Sequence, residues 1–414
     1  MFKRVPGTKD ILVQEVYSWQ EIEKISRSVF SIFNYCEIRP PVIEDASLFN
    51  RSLGEFTEIV QKQMFLIRNQ EDLYALRPEG TASIVRAYVE NNLDKTAGLK
   101  KFYYMGPMFR LERPQKGRLR QFHHIGIEVI GSSQAEVDVE VISLADKLLK
   151  SYQVSGYEIK INTLGCVKDK KELVNLLQKD LRGKLDSLCP ECKVRFDHNI
   201  LRILDCKNES CKKIIEELSI GDRHLCEDCK NHFKRVLTGL DALKIKYEVL
   251  PTLVRGLDYY TQTVFEVKHK DLGSQDAIGA GGRYDNLVKE LGGEQTGAIG
   301  FAFGVERLML VSKLQNQKIP KNLVFVITLG DEAKAQGLVL LNNLRNAGIP
   351  ADTDYEGKSL KGAMRLANDL EAKYVLILGD NEIKKNVVML KDMASGEQKE
   401  IGISNLISEL RSNS

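Results

Sequence analysis

Apolar positions recur at helical spacing over residues 16–33, where Val16, Trp19, Ile22, Ile25, Val29 and Phe33 share one face. The spacing predicts a long amphipathic helix that stops near Cys36, because Pro40-Pro41 then force extended backbone. A second helix is expected from Thr81, with Ile84, Val85, Tyr88 and Val89 on one side. A third is expected from Ser133, which has capping-box spacing to Glu136. Between these lie alternating, aromatic-rich stretches, 101–110, 121–131 and 253–269, that read as strands of a largely antiparallel sheet. In the second of them a period of two puts Phe122, His124, Gly126 and Glu128 on one face. A face carrying both an imidazole and a carboxylate is unusual for pure core.

The patterning shifts twice along the chain. Residues 167–238 turn charged, Lys-rich and Cys-rich, as an insertion within a first domain spanning 1–320 would. After Ile319-Pro320 strands and helices alternate, at 324–329, 333–347, 351–355, 360–369 and 374–378. That alternation predicts a small α/β domain with parallel strands over 321–414. A length of 414 residues suits two or three domains.

Composition narrows the class only a little. Hydrophobic residues at 43% and charged ones at 28% describe an ordinary globular protein, and a net charge of +3 confines any basic footprint to a local patch. The start, MFKRVPGTKDIL, has no apolar stretch of signal-peptide length, and the longest apolar runs are strand-sized. A cytoplasmic chain without membrane contact is expected. Eight cysteines in that setting read as thiols or metal ligands rather than disulfides.

Four stretches carry candidate chemistry. Residues 110–120, RLERPQKGRLR, set Arg110, Arg113, Lys116, Arg118 and Arg120 against the single acid Glu112 on a loop marked by Pro114 and Gly117. Such a loop suits a polyanion, although a solvated loop would carry the same charges. LVRGLDYYTQTVFEV, 253–267, sets Arg255, Asp258, Tyr259 and Tyr260 in an apolar segment, where buried charges need partners. IGAGGRY, 278–284, has three glycines in four positions, which let backbone approach a flat ligand but equally make turns. In GAIGFAFGVERLML, 297–310, an apolar strand runs into a helix with Arg307 in its first turn, a poor place for a cation unless an external anion answers it.

Together these stretches resemble the class II aminoacyl-tRNA synthetases, and specifically the histidyl-tRNA synthetase family, over nearly the whole chain. Pro40-Pro41 after the first helix is similar to motif 1, the dimer-interface element. FYYMGPMFRLERPQKGRLRQFHHIGIE is similar to motif 2 and GAIGFAFGVERL to motif 3. LVRGLDYYT and IGAGGRYD, with LRPEGT at 76–81, are the histidine-specific signatures.

The resemblance implies an α+β fold: an antiparallel sheet flanked by helices, an inserted subdomain, and a C-terminal α/β anticodon-binding domain. It implies activation of histidine by ATP with Mg2+, transfer to tRNA(His), and a homodimer. Arg110 would hold the α-phosphate, Arg307 the γ-phosphate, and Arg255 would lie across the α-phosphate where other class II enzymes use a metal ion. Glu79, Gly80 and Thr81 would surround the α-amino group, and Glu128 and Tyr260 the imidazole, with Tyr259 lining the same pocket. His124 stands where the family usually has glutamine; a neutral ring nitrogen accepts a bond from the ammonium, whereas an imidazolium repels it. The basic loop would close over ATP and meet the tRNA acceptor end. A non-catalytic alternative exists among family paralogues that regulate histidine synthesis, but those lack the C-terminal domain and the RGLDYY signature.

Within the insertion, Cys189-Pro-Glu-Cys192 and Cys226-Glu-Asp-Cys229 form two CxxC pairs. Paired motifs of that spacing are a zinc signature, so a structural Zn2+ on Cys189, Cys192, Cys226 and Cys229 is expected. Reduced surface cysteines would look the same.

Overall fold

Helix α1 (Val13–Ile32) buries Trp19, Ile22, Val29 and Phe30, one side of the expected amphipathic face. The computed structural model describes residues 2–412 apart from Lys116, Ser219, Ser274, Gln275 and 315–321. The sequence boundary at 320/321 and the loop cation Lys116 therefore lie outside the described residues. Two compact units are present, Met1–Gln317 and Lys318–Ser414.

The first unit is built on an eight-stranded sheet. Its strands are β1 (Cys36–Glu37), β2 (Lys100–Phe109), β3 (Gln121–Ile130), β4 (Tyr157–Thr163), β5 (Glu248–Val249), β6 (Thr261–His269), β7 (Ala277–Arg283) and β8 (Ala298–Gly304). They run in the order β1-β2-β3-β8-β7-β6-β4-β5. The six inner strands pair antiparallel, while the two-residue edges β1 and β5 pair parallel. Helix α1 and helix α3 (Ala135–Ser151) pack on one face, in a core that includes Phe30, Ile127, Ile142, Leu148 and Phe265. The opposite face, reached by helix α2 (Thr81–Glu90), carries the polar residues of strand β3. A short sheet of Ile43–Asp45, Phe65–Asn69 and Asp72–Leu76 leads into α2.

Two local outcomes differ from the sequence reading, and a third decides between the alternatives it left open. Helix α3 begins at Ala135 with Gln134 as its N-cap and no side-chain cap, so Ser133 and Glu136 form no capping box. Residues 132–134 are held instead by outside partners: Ser132 N–H donates to Gly297 O, and Arg283 donates to the carbonyls of Ser132 and Gln134. Residues 253–260 are irregular, and only Thr261–His269 is strand. The glycine-rich 278–284 stretch is an inner strand, not a turn.

The insertion is helical: α4 (Val167–Arg182), α5 (Pro190–His198), a 3-10 segment Ile200–Asp205, α6 (Glu209–Glu216) and α7 (Glu227–Ala242). Its Leu173, Leu177, Leu181, Ile203 and Ile214 join the core that also holds Tyr259 and Tyr260.

The second unit has strands β9 (Val324–Thr328), β10 (Ala351–Thr353), β11 (Tyr374–Leu378), β12 (Val387–Asp392) and β13 (Gln398–Gly402) in the order β10-β9-β11-β12-β13. The three expected from alternation are parallel, and the last two add antiparallel. Helices α9 (Asp331–Asn346) and α10 (Leu360–Asp369), which follow α8 (Val305–Val311) of the first unit, bury apolar residues against this sheet. Among the described residues no helix is long and apolar enough to cross a membrane.

Candidate active site

A cavity of about 280 Å³ opens on the sheet face formed by β2, β3, β8 and β7. Glu79, Thr81, Arg110, His124, Arg255, Tyr259, Tyr260 and Arg307 all line it, although they come from four separate stretches of chain. Gly80 and Glu128 lie just behind its wall.

At the entry to α2 the chain leaves two backbone N–H groups without helical partners. Glu79 supplies them: its carboxylate accepts from Thr81 N at 2.7 Å and Ala82 N at 2.8 Å. Burial raises the Glu79 pKa, while those two N–H groups and Arg110 oppose the rise. Thr81 then donates its hydroxyl to Glu128 Oε1 at 2.6 Å, and Tyr284 donates to Oε2 at 2.5 Å. Burial pushes the Glu128 pKa up to about 8, against the pull of those two donors. Its carboxyl is thus largely neutral at pH 7. Gly300 is required beside it, since a Cβ there would sit 1.8 Å from Glu128 Oε2.

Tyr104 lies under this floor, fully engulfed between Gly80 and Gly126, where a Cβ on either glycine would stand 2.4–2.5 Å from its ring. The rings of Tyr259 and Tyr260 pack at 4.6 Å, and Tyr259 meets Tyr284 edge-on at 5.8 Å. Burial raises the pKa of all four tyrosines, keeping their hydroxyls protonated. One wall therefore offers neutral O–H groups and aromatic faces.

The opposite wall is cationic. Arg110 donates from Nε to Pro78 O at 2.8 Å and lies 5.2 Å from the Phe122 ring. Arg307 donates to the carbonyls of Gly117 (3.1 Å) and Ala277 (2.5 Å). Burial lowers both pKa values; for Arg110 it prevails over the opposing pull of Glu79, with Arg255 adding to it, and for Arg307 the neighbouring Arg110 adds to it. Arg255 is different: burial opposes its charge, but Glu266 outweighs that through a 2.9 Å ion pair, and its pKa rises. Its Nε is buried without a hydrogen-bond partner. Like charges crowded in a half-desolvated cavity favour an anionic guest.

His124 Nδ1 is also buried and unpartnered. Burial first, then Arg110, Arg307 and Arg77, hold its pKa well below the usual histidine value, so the ring is neutral at pH 7. The repulsive imidazolium considered from sequence does not form here.

Several lining residues went unnamed in the sequence reading. Tyr104, Tyr284 and Glu266 complete the floor and the Arg255 pair, while Glu112, the loop acid noted in the sequence, is ion-paired with Arg118. Tyr104, Tyr284 and Glu266 all lay inside quoted stretches, but nothing in their local pattern marked them: the Arg255–Glu266 pair and the packing of Tyr104 under the floor are tertiary contacts. A second cavity, about 890 Å³, adjoins the first along Arg110, Arg118 and Arg255 and reaches the insertion at Arg195, Arg202 and Lys207.

The expected zinc ligand set is corrected. Cys189 and Cys192 gather with Cys206 and Cys211, whereas Cys226 and Cys229 gather with Cys166 and Asp169. The cause is local: the 3-10 turn Ile200–Asp205 returns Cys206 against Cys189, while Cys226 N–H is tied to Asp169 Oδ1 at 3.1 Å, beside the start of α4.

An antiparallel sheet of this order, with Arg110 just past β2, Arg255 on the loop before β6 and Arg307 in the first turn after β8 all facing one cavity, defines the catalytic fold of a class II aminoacyl-tRNA synthetase. The sequence model described as histidyl-tRNA synthetase matches residues 7–308, and that of an anticodon binding domain matches residues 323–413. A histidine–tRNA ligase of Thermosipho melanesiensis is 45% identical over 405 residues, covering 97% of this chain and 96% of the relative. The crystal structure of apo Staphylococcus aureus histidyl-tRNA synthetase is similar at TM-score 0.82 and 33% identity, covering 99% of this chain and 100% of that one. A Bacillus halodurans structure titled ATP phosphoribosyltransferase regulatory subunit/histidyl-tRNA synthetase shares the fold at TM-score 0.67 and 20% identity, covering 92% and 98%. The chain belongs to the histidyl-tRNA synthetase family.

Proposed function

We propose that this protein activates histidine with ATP and transfers it to tRNA(His). The observation that carries the reading is the convergence of Arg110, Arg255 and Arg307 on one cavity beside Glu79, Thr81, Tyr259 and Tyr260. In the first step the histidine carboxylate attacks the α-phosphorus and pyrophosphate leaves with the electron pair of the broken P–O bond. The acyl-adenylate then esterifies the terminal ribose of the tRNA, releasing AMP. Positioning and charge neutralisation do most of the work in such phosphoryl transfer.

Arg110 and Arg255 neutralise the α-phosphate and Arg307 the γ-phosphate. The free Nε of Arg255 and its anchorage to Glu266 leave a planar fork aimed at phosphate oxygens. Mg2+ enters as the counter-ion of ATP; of the acids lining the cavity, Glu112 is ion-paired with Arg118 and Glu266 with Arg255, while Glu306 accepts from the His123 backbone N–H and lies 2.9 Å from His123 Nδ1. The substrate ammonium meets Glu79, Thr81 and the lone pair of His124. The imidazole lies against Tyr259 and Tyr260, and Glu128 reaches it by exchanging its bond to Thr81 or Tyr284.

The mildly basic second cavity suits the acceptor end of a nucleic acid, and the 321–414 domain suits the anticodon. A homodimer fits the exposed apolar Ile32, Ile43 and Leu66 near motif 1. A compartment for protein synthesis, the cytoplasm, follows from this activity.

The test is amino-acid-dependent exchange of pyrophosphate into ATP. Exchange with histidine alone is expected. Exchange with another amino acid would move the protein to another synthetase specificity, and none with any would favour the regulatory alternative, which the intact arginine set argues against.

A further inference from the structure

The insertion gathers four thiols that the activation chemistry does not use. We propose that Cys189, Cys192, Cys206 and Cys211 bind one Zn2+ ion as a closed four-thiolate site. Any metal-ligating atom of these four lies within 4.8 Å of the others. A tetrahedral zinc site with Zn–S bonds of about 2.3 Å requires sulfur–sulfur separations of about 3.8 Å. Cys189 Sγ and Cys206 Sγ are 3.8 Å apart, a non-bonded distance far beyond a disulfide.

The backbone around them is arranged in matching halves. Cys189 caps α5, with Pro190 first and Cys192 third in that helix. Cys211 is likewise third in α6, and Cys206 ends the preceding 3-10 turn. Each half is thus a turn followed by a helix start, where backbone N–H groups point toward developing negative charge. One such bond is in place, Cys189 N–H to Cys211 Sγ at 3.3 Å. Four thiolates would bring excess negative charge to the ion, and N–H donors at sulfur offset it.

Burial makes the site closed. Cys192 and Cys211 are wholly buried, Cys206 is 8% exposed and Cys189 is half-buried, so four sulfurs would fill the tetrahedral shell and leave no ligand position for substrate. That is the pattern of a structural ion rather than a catalytic one. The apolar residues nearest it, Leu188, Ile203, Leu204, Ile214 and Ile215, sit at the edge of the larger core, on short helices that are otherwise charged. Metal-ligand bonds supply folding free energy where apolar burial is small.

The ion would also act at a distance. The 3-10 turn it anchors packs the Arg202 guanidinium close over the bare backbone of Gly256, and Asn199, just before that turn, donates to Asp258 at 3.0 Å. Both contacts brace the loop that carries Arg255. The other group, Cys166, Asp169, Cys226 and Cys229, is weaker: Cys226 is exposed, and Asp169 is spent on the N–H groups of Cys166 and Cys226.

The test uses full-length protein without a polyhistidine tag, purified under reducing conditions without added metal or chelator. Stoichiometric zinc with four sulfur neighbours in its X-ray absorption spectrum is expected. Cys192→Ser with Cys206→Ser should lose one equivalent of zinc, and Cys226→Ser with Cys229→Ser should keep the four-sulfur spectrum. Zinc unchanged in the first variant, or the four-sulfur signal lost in the second, overturns the assignment. Should the first variant fail to fold, cobalt exchange of the native protein decides instead. Tetrahedral cobalt–thiolate absorption is expected, and its absence, or disulfides among these four cysteines, ends the proposal.

Discussion

Glu128 shows how one buried group ties pH to both stability and substrate choice. Its folded-state pKa, about 8, lies above the ordinary carboxyl value of 4.5 because burial disfavours the charged form. The folded protein therefore keeps a proton that the unfolded chain releases. Stability from that proton is complete below the unfolded value and is lost as pH rises through the folded one. Between about pH 5 and about pH 8.5 the native chain is expected to lose on the order of a few kcal/mol from this group. Glu128→Gln keeps the shape and removes the titration, so urea midpoints of that variant should fall less over the same interval. Parallel curves for the two proteins would show that another group governs the loss. At Arg255 the demand is geometric: lysine keeps the charge but lacks the fork held by Glu266. Arg255→Lys is expected to lower histidine-dependent pyrophosphate exchange by on the order of 100-fold, comparable to removing one preorganised donor. Near-native exchange would remove Arg255 from the phosphate site.

At the scale of elements, the buried Arg283 joins pieces that are distant in sequence. It ends β7, pairs with Asp138 of α3 at 2.6 Å, and donates to carbonyls of the segment before α3. Asp138 in turn meets His232 of α7 at 2.9 Å, tying the last insertion helix to the catalytic body. Both Arg283 and Asp138 are completely buried. Asp138→Ala would leave the buried guanidinium with Asp285, at 3.1 Å, as its remaining acid partner, and breaking a buried pair costs up to about 3–5 kcal/mol. A lower thermal midpoint with zinc content unchanged is the expected result; a midpoint within a degree or two of native would mean water reaches Arg283. The same strand marks the limit of sequence reading. Pattern sees glycine as a breaker, yet a Cβ at Gly281 would stand 2.3 Å from Gly300 O and at Gly279 2.3 Å from Ala302 O. Glycine is there because two strands approach closely, a tertiary fact with no local trace. Long amphipathic helices and the α/β alternation were legible, since their periodicity is set by one buried face. Residues 253–260 were misjudged as strand because their apolar side chains face the insertion core, not a neighbouring strand; Asp258 N–H instead bonds Leu53 O.

For the molecule as a whole, charge is spread unevenly rather than in excess. A net charge of +3 over 414 residues gives little general attraction for RNA. The second cavity concentrates cations, including Lys62, Arg195, Arg202, Lys207 and Lys212, next to Arg110 and Arg255 of the first cavity. The two half-reactions should therefore respond differently to salt. Pyrophosphate exchange involves small ligands held by half-buried arginines, where screening is weak. Binding a tRNA displaces counter-ions from its phosphates, each contact adding about −0.7 to −0.9 to the slope of log affinity against log salt. Raising salt is thus expected to depress kcat/KM for tRNA steeply while exchange kcat/KM for histidine declines slightly. Lys207→Ala with Lys212→Ala should flatten the tRNA slope by roughly one to two and leave exchange near native. Equal slopes in native and variant proteins would move the RNA footprint away from this cavity, leaving the surface basic residues of other elements to carry it.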